Sequence, residues 1–252
     1  MTAKLITIAF SHYCEKARWA LDRCGVSYVE DVHLPVFHYL ATYRNGAKRT
    51  VPVLVDGKTL IRDSTDIIAW ADKHRPGSLI PISGAVDALA IEDDLDNHFG
   101  PATRRWAYFH LLPSREADRY VVAGAPRWQK TMLKVTRPLA VSLLKRGLKI
   151  DEAGVARSLE KIEKTLARVD EIVSDGRRYL LGDRFTVADL TFAALASPIL
   201  LPPEHPAQKI PFDLLPQPAR DQVSAWRARP SGKFALSLYA RERSSSRASS
   251  AA

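Results

Sequence analysis

Ser11, Tyr13 and Cys14 bring two hydroxyls and a thiol together where a β-like run gives way to a helical one. Lys4 to Phe10 is nearly continuous in apolar and β-favouring residues, as in a strand buried on both faces. From Ala17 the period changes: Ala17, Ala20, Leu21 and Cys24 recur at helical spacing, and Glu15, Lys16, Arg18, Asp22 and Arg23 fill the other face. Ser11-His12-Tyr13-Cys14 therefore reads as a turn and the first turn of a helix. The unpaired N–H groups and positive dipole end of such a terminus hold an anion or a thiolate. Ser11 is a cap or a donor there, and Tyr13 is a second donor. Cys14 lies on the core face, where a packed thiol is expected ahead of a nucleophile.

The elements that position this junction follow in order. Ser27 to His33 reads as a second strand after Gly25, Phe37 to Tyr43 as a short helix, and Val51 to Val55 as a third strand. Asp56-Gly57 signals a hairpin, Thr59 to Arg62 returns as a fourth strand, and Asp63 or Ser64 caps a helix running to Lys73. Pro52 removes a ladder donor from an otherwise apolar strand, which places it at an edge. The order is strand, helix, strand, helix, strand, strand, helix.

Beyond this unit, Pro76 to Ala85 is rich in proline and glycine and marks a boundary. The expected division is residues 1–78, a linker at 79–85, an all-helical domain at 86–242 and a disordered tail at 243–252. Helices are predicted over Val86–His110 with a kink at Gly100-Pro101, Arg115–Ala123, Arg127–Ile150, Asp151–Ser174, Thr186–Ser197, Ala219–Arg229 and Lys233–Arg241. Thr186-Val-Ala-Asp189 is a capping-box variant with Phe185 and Leu190 as a hydrophobic staple.

Composition bounds the function. The chain has 252 residues, enough for two modest cores, and its 46% hydrophobic and 26% charged content is that of a globular protein. Cys14 and Cys24, about 15 Å apart along one helix, form no disulfide. With no targeting segment visible and no apolar run of about 20 residues, a reducing, cytoplasmic setting is expected. The histidines show no paired ligand spacing, so no metal is expected. The net charge of +9 is local: residues 101–150 hold 11 basic and 2 acidic groups, against 11 and 8 in 1–80, none and 5 in 81–100, and 15 and 13 in 151–252. A solvated helix face is favoured for this basic segment, membrane-surface contact comes next, and no motif supports nucleic acid.

Ser11-x-x-Cys14 resembles the C-x-x-C of thioredoxin-fold proteins with the first cysteine replaced by serine. With Glu-Lys-Ala-Arg-Trp-Ala-Leu after it, then Thr50-Val51-Pro52-Val53-Leu54, Asp63-Ser64 and Gly182-Asp183-Arg184-Phe185-Thr186-Val187-Ala188-Asp189, the chain is similar to the glutathione S-transferases. The resemblance implies an α/β thioredoxin-like domain followed by an all-α helical bundle, a homodimer, and glutathione as co-substrate for attack on a small hydrophobic electrophile. It further implies a cis Val51-Pro52 bond, a Val51 backbone that pairs with the cysteinyl part of glutathione, and Asp63 and Ser64 at its γ-glutamyl end. Ser11 would stabilise the thiolate, with Tyr13 as another donor and His12 as a third that is expected to be exposed. Arg49, Lys48 or His38 would meet the glycyl carboxylate, since Thr50 stands where the family usually has a basic or amide residue. Asn97, Arg104, Arg105, Trp106 and Tyr108 are candidates for the electrophile's wall. Two alternatives accompany this reading: a non-catalytic binding or scaffold protein on the same fold, and a thiol-disulfide oxidoreductase using Cys14.

Overall fold

The structure, a computed structural model, describes residues 2–243. Strands β1 (Ala3–Thr7), β2 (Tyr28–Val32), β3 (Val53–Asp56) and β4 (Thr59–Ile61) form one mixed sheet in the order β2-β1-β3-β4. β1 runs parallel to β2 and antiparallel to β3. Helices α1 (His12–Arg23), α2 (His38–Arg44) and α3 (Ser64–Asp72) complete the expected order. β1 stops at Thr7 rather than Phe10 because the Ser11 N–H donates to the Ile8 carbonyl at 3.0 Å and closes a turn. The Val51-Pro52 bond is cis, and β3 starts at Val53, after the residue that has no N–H for a ladder.

The helical part comprises α4 (Ala85–Asp94), α5 (Gly100–Leu111), α6 (Asp118–Val121), α7 (Arg127–Leu148), α8 (Glu152–Ile172), α9 (Val187–Leu200), α10 (Gln217–Ala228) and α11 (Pro230–Leu238). In place of a simple kink, a π-helical turn over Leu95–Phe99 joins α4 to α5, next to Pro101, which has no N–H for the ladder. The helix expected over Arg115–Ala123 shrinks to the single turn α6, since Pro113 and Gly124-Ala125-Pro126 leave too few residues to propagate one.

One core runs through both parts. α9 is buried around its whole circumference, and α1 packs between it and the sheet. Trp19 of α1 lies 5.9 Å from the Phe185 ring and 4.9 Å from the Tyr239 ring. A smaller cluster of Ile6, Ala47 and Val53 sits on the other face of the sheet with Ala41 of α2 against it. The capping box is formed: the Ala188 N–H donates to Thr186 Oγ1 at 3.3 Å and the Thr186 N–H to Asp189 Oδ2 at 2.9 Å. Asp189 also accepts the Leu180 N–H at 2.7 Å, so the box ties the preceding loop to α9. Thr186→Ala is expected to lower unfolding stability by about 1 kcal/mol; a denaturant midpoint identical to the parent's would show the box to be idle.

Of the tail expected from residue 243 onward, 244–252 lie outside the described residues, and Arg243 itself is a correction. It ends a π-helical turn over Tyr239–Arg243, is 1% exposed, and donates to Glu15 Oε1 and Asp22 Oδ2 at 2.6 Å each. A serine-rich neighbourhood hides a single arginine whose partners are more than two hundred residues away.

Candidate functional site

Three segments meet at one end of the sheet. β1 pairs with β3 as Ile6↔Val53, and β3 with β4 as Leu54↔Ile61. Continuing those registers sets Val51 beside Ile8, where the chain turns toward Ser11, and Asp63-Ser64 beside Val51-Pro52. Val51 has no backbone hydrogen bond among the described residues, so the edge there is open to an added peptide.

Ser11 is the N-cap of α1. Its Oγ accepts the Cys14 N–H at 3.4 Å, its own proton has no acceptor among the described residues, and it lines a cavity. Cys14 is fully buried, with Sγ accepting the Ile8 N–H at 3.5 Å, and burial pushes its thiol pKa up. That is a packed thiol. Tyr13 turns away toward the helical part, where its hydroxyl donates to the Asp96 carbonyl at 2.8 Å. Burial, reinforced by the Asp96 carboxylate, holds the Tyr13 phenol well above its ordinary range, which leaves it poorly placed to serve a thiolate. Gly100 makes this docking possible, because a Cβ there would stand 2.5 Å from the Tyr13 hydroxyl oxygen.

Asp63 caps α3, its Oδ1 accepting the Thr65 N–H at 2.9 Å, and Ser64 is buried at the first helical position. Beneath this terminus Lys16, fully buried, donates to Glu92 and Asp96, and Thr65 Oγ1 donates to Glu92 Oε1 at 2.6 Å. The network locks the start of α3 to α1 and α4. Arg49 is exposed and donates through Nε to the Tyr43 hydroxyl at 3.1 Å. His38 donates to the Arg49 carbonyl at 2.8 Å and is buried, so it shapes the loop rather than offering a cation. Lys48 is exposed beside it.

The cavity next to Ser11 has a volume of about 90 Å³ and a mostly apolar wall. Phe10, Ser11 and His12 form one side, Arg104, Tyr108 and Leu111 of α5 another, and Leu133, Ala140 and Leu144 of α7 a third. Of the wall candidates, Arg104 and Tyr108 face this space. Arg105 instead donates to the Leu148 carbonyl at 2.9 Å and to Ser158 at 2.8 Å. Trp106 is core, its Nε1–H given to Gln222 at 2.7 Å, and Asn97 is exposed on Asp93. Arg104 has no hydrogen bond or ion pair among the described residues and lies 5.7 Å over the Tyr13 ring. Burial pushes the Tyr108 hydroxyl up to about 12, so it stays a donor at neutral pH.

Two contributors escaped the sequence. His12, which reads as an exposed turn residue, is 2% exposed and donates from Nε2 to the Gly100 carbonyl at 3.0 Å; burial, with Arg104 adding to it, pushes its pKa down to about 3. The other is the inner face of α7, which is apolar on more than one side and so gives no single stripe to read.

The sequence model of the glutathione S-transferase N-terminal domain matches residues 5–79, and that of the C-terminal domain matches residues 152–229. The chain belongs to the glutathione S-transferase family. Solved glutathione S-transferases and relatives share its fold at low identity. A Ceriporiopsis subvermispora glutathione S-transferase in complex with glutathione superposes with a TM-score of 0.61 at 18% identity, over 96% of this chain and 98% of that one. A Phanerochaete chrysosporium glutathione transferase gives 0.60 at 17%, over 96% and 97%. The beta-etherase LigF of Sphingobium sp. strain SYK-6 gives 0.59 at 18%, over 94% and 99%. No curated protein matches the sequence. Within this chain, residues 80–151 lie between the two matched domains, and they supply α5 and α7, hence most of the cavity wall.

Proposed function

We propose that the protein activates the thiol of glutathione for attack on a small hydrophobic electrophile. The observation that carries this reading is Ser11: a helix-capping hydroxyl whose proton has no acceptor among the described residues and which lines an apolar cavity. Glutathione's γ-glutamyl end sits at Asp63 and the N–H groups that begin α3, with Ser64 at the first helical position; its cysteinyl part pairs with Val51 next to Pro52; and its glycyl end points toward Arg49 or Lys48. The sulfur then lies at Ser11, where a hydrogen bond and the positive end of α1 favour the thiolate.

Sulfur attacks the electrophilic carbon, the new S–C bond forms as the leaving group departs with its electron pair, and the thiol proton passes to solvent. Arg104, a cation without a carboxylate partner among the described residues, and the Tyr108 hydroxyl face the same space, suited to the oxygen or halide on which negative charge develops. The reading includes a cytoplasmic location and a homodimer, with exposed Ile82, Val86 and Leu89 around the start of α4 as its apolar contact. The buried Cys14 argues against the oxidoreductase alternative, whereas a scaffold role would leave Ser11 as a cap alone.

Calorimetric titration with glutathione near neutral pH tests the site. Saturable binding is expected, with Ser64→Ala weakening it about tenfold through loss of a charge-assisted hydrogen bond. Absence of binding at millimolar glutathione would overturn the reading and leave the fold intact.

A further inference from the structure

α7 carries a second apolar face that the fold does not use. While Leu133, Ala140 and Leu144 line the cavity, Trp128, Met132, Val135, Leu139 and Leu143 are 50, 46, 80, 63 and 48% exposed. Their spacing of four, three, four and four residues makes one continuous stripe, roughly 20 Å long at 1.5 Å per residue. The Trp128 end is anchored, its ring 5.8 Å from Phe37 of the N-terminal domain.

Charge says what covers this stripe. From Arg119 to Ile150 the chain has no aspartate or glutamate, and this stretch holds much of the basic excess of the whole protein. On the helical wheel Arg146 falls within the stripe, and Arg127, Lys134 and Lys145 form a row about a third of a turn from its centre; all four are exposed. Beyond that row, on the side of α7 away from the stripe, the groove against α6 adds Arg115, Arg119 and Lys130, with Asp118 as its one acidic member. A second copy of the same face would set cation against cation. Nucleic acid would match the charge but leave the aliphatic stripe in water. A surface offering both phosphates and acyl chains satisfies both.

We propose that the outer face of α7 docks the protein on an anionic lipid bilayer, with the Trp128-to-Leu143 stripe at the headgroup–acyl boundary and the flanking lysines and arginines on lipid phosphates. Docking is peripheral and reversible, since among the described residues no helix is long and apolar enough to cross a membrane. The same helix separates the bilayer from the cavity. An electrophile dissolved in lipid therefore meets the protein at the element that forms the cavity wall.

The full chain is sedimented with vesicles of phosphatidylcholine alone and of phosphatidylcholine mixed with phosphatidylglycerol, at low and high salt. Binding is expected to the mixed vesicles only, to weaken with salt, and to fall about tenfold or more in Val135→Glu/Leu139→Glu and in Lys134→Glu/Lys145→Glu. All four side chains are exposed, so the variants should melt like the parent. No binding to the mixed vesicles, or binding that the substitutions leave unchanged, would overturn the proposal. So would a loss of self-association in Val135→Glu/Leu139→Glu without any vesicle binding by the parent, which would make the face a contact between copies. None of these outcomes depends on glutathione binding.

Discussion

Ser11→Ala is expected to lower kcat/KM for glutathione conjugation by about two orders of magnitude while changing glutathione affinity little, since the proposed site holds the tripeptide's carboxylates and backbone elsewhere. A free thiol near pKa 8.5 is only a few per cent thiolate at neutral pH, so a donor that stabilises the anion acts directly on the reactive fraction. Removing the donor should also move the pH profile of kcat/KM upward, because the bound thiol then ionises closer to its solution value. The variant loses a helix cap as well, worth about 1 kcal/mol of stability, and this is separable by melting it. Ser11→Thr, which keeps a hydroxyl at the cap, should recover much of the rate. An alanine variant with the parent's rate and pH profile would reduce Ser11 to a capping residue and favour Tyr108 or Arg104 as the group that acts on the reaction.

Acidification is expected to destabilise the fold well above the range in which carboxylates titrate. His12 and His205 are buried, and burial lowers their pKa values to about 3 and about 4 from the ordinary 6.5. His205 Nδ1 accepts the N–H groups of Ala207 and Gln208 at 3.2 and 2.8 Å, so a proton at that atom would break the turn. In the unfolded chain each imidazole takes up a proton near pH 6.5, whereas the folded chain resists until much lower pH. Stability from this source is full above about pH 6.5 and falls as pH falls. Between about pH 7 and about pH 5 the loss is roughly 2 kcal/mol per histidine, or about 4 kcal/mol for the pair. Denaturant titrations across this window measure it together with the opposing gain from Asp189, whose carboxyl burial pushes up to about 6, and His205→Asn, which keeps an acceptor for the turn, should remove about 2 kcal/mol of the loss. A flat profile would mean that the two imidazoles are not held neutral by the fold.

How much of this was legible in the sequence depends on whether the signal was local. The strand-to-helix change at Ser11, the box at Thr186 and the hairpin at Asp56-Gly57 are each decided by neighbouring residues, and each element stands where the spacing put it. The choice among Arg104, Arg105 and Trp106 was not local. Three consecutive helical residues point in three directions, and only the placement of α8 and α10 decides that Arg105 reaches Ser158, Trp106 reaches Gln222 and Arg104 is left to the cavity. His12 was unreadable for the same reason, since the carbonyl that receives its proton belongs to Gly100, in the other domain. In α7 the apolar residues serve two faces at once, which blurs the periodicity that would have announced either.

Arg243 also has a meaning for how the molecule is made. α1 is made more than two hundred residues ahead of Arg243 with Glu15 and Asp22 destined for burial, and this arginine, which pairs with both while Arg18 also approaches Glu15, belongs to the last turn described. A carboxylate placed in the core without its counter-charge is strongly disfavoured. The N-terminal domain therefore cannot settle into its final packing on α9 until Arg243 has been made. The sheet domain, translated ahead of the helical bundle, is finished only with that bundle's last described turn.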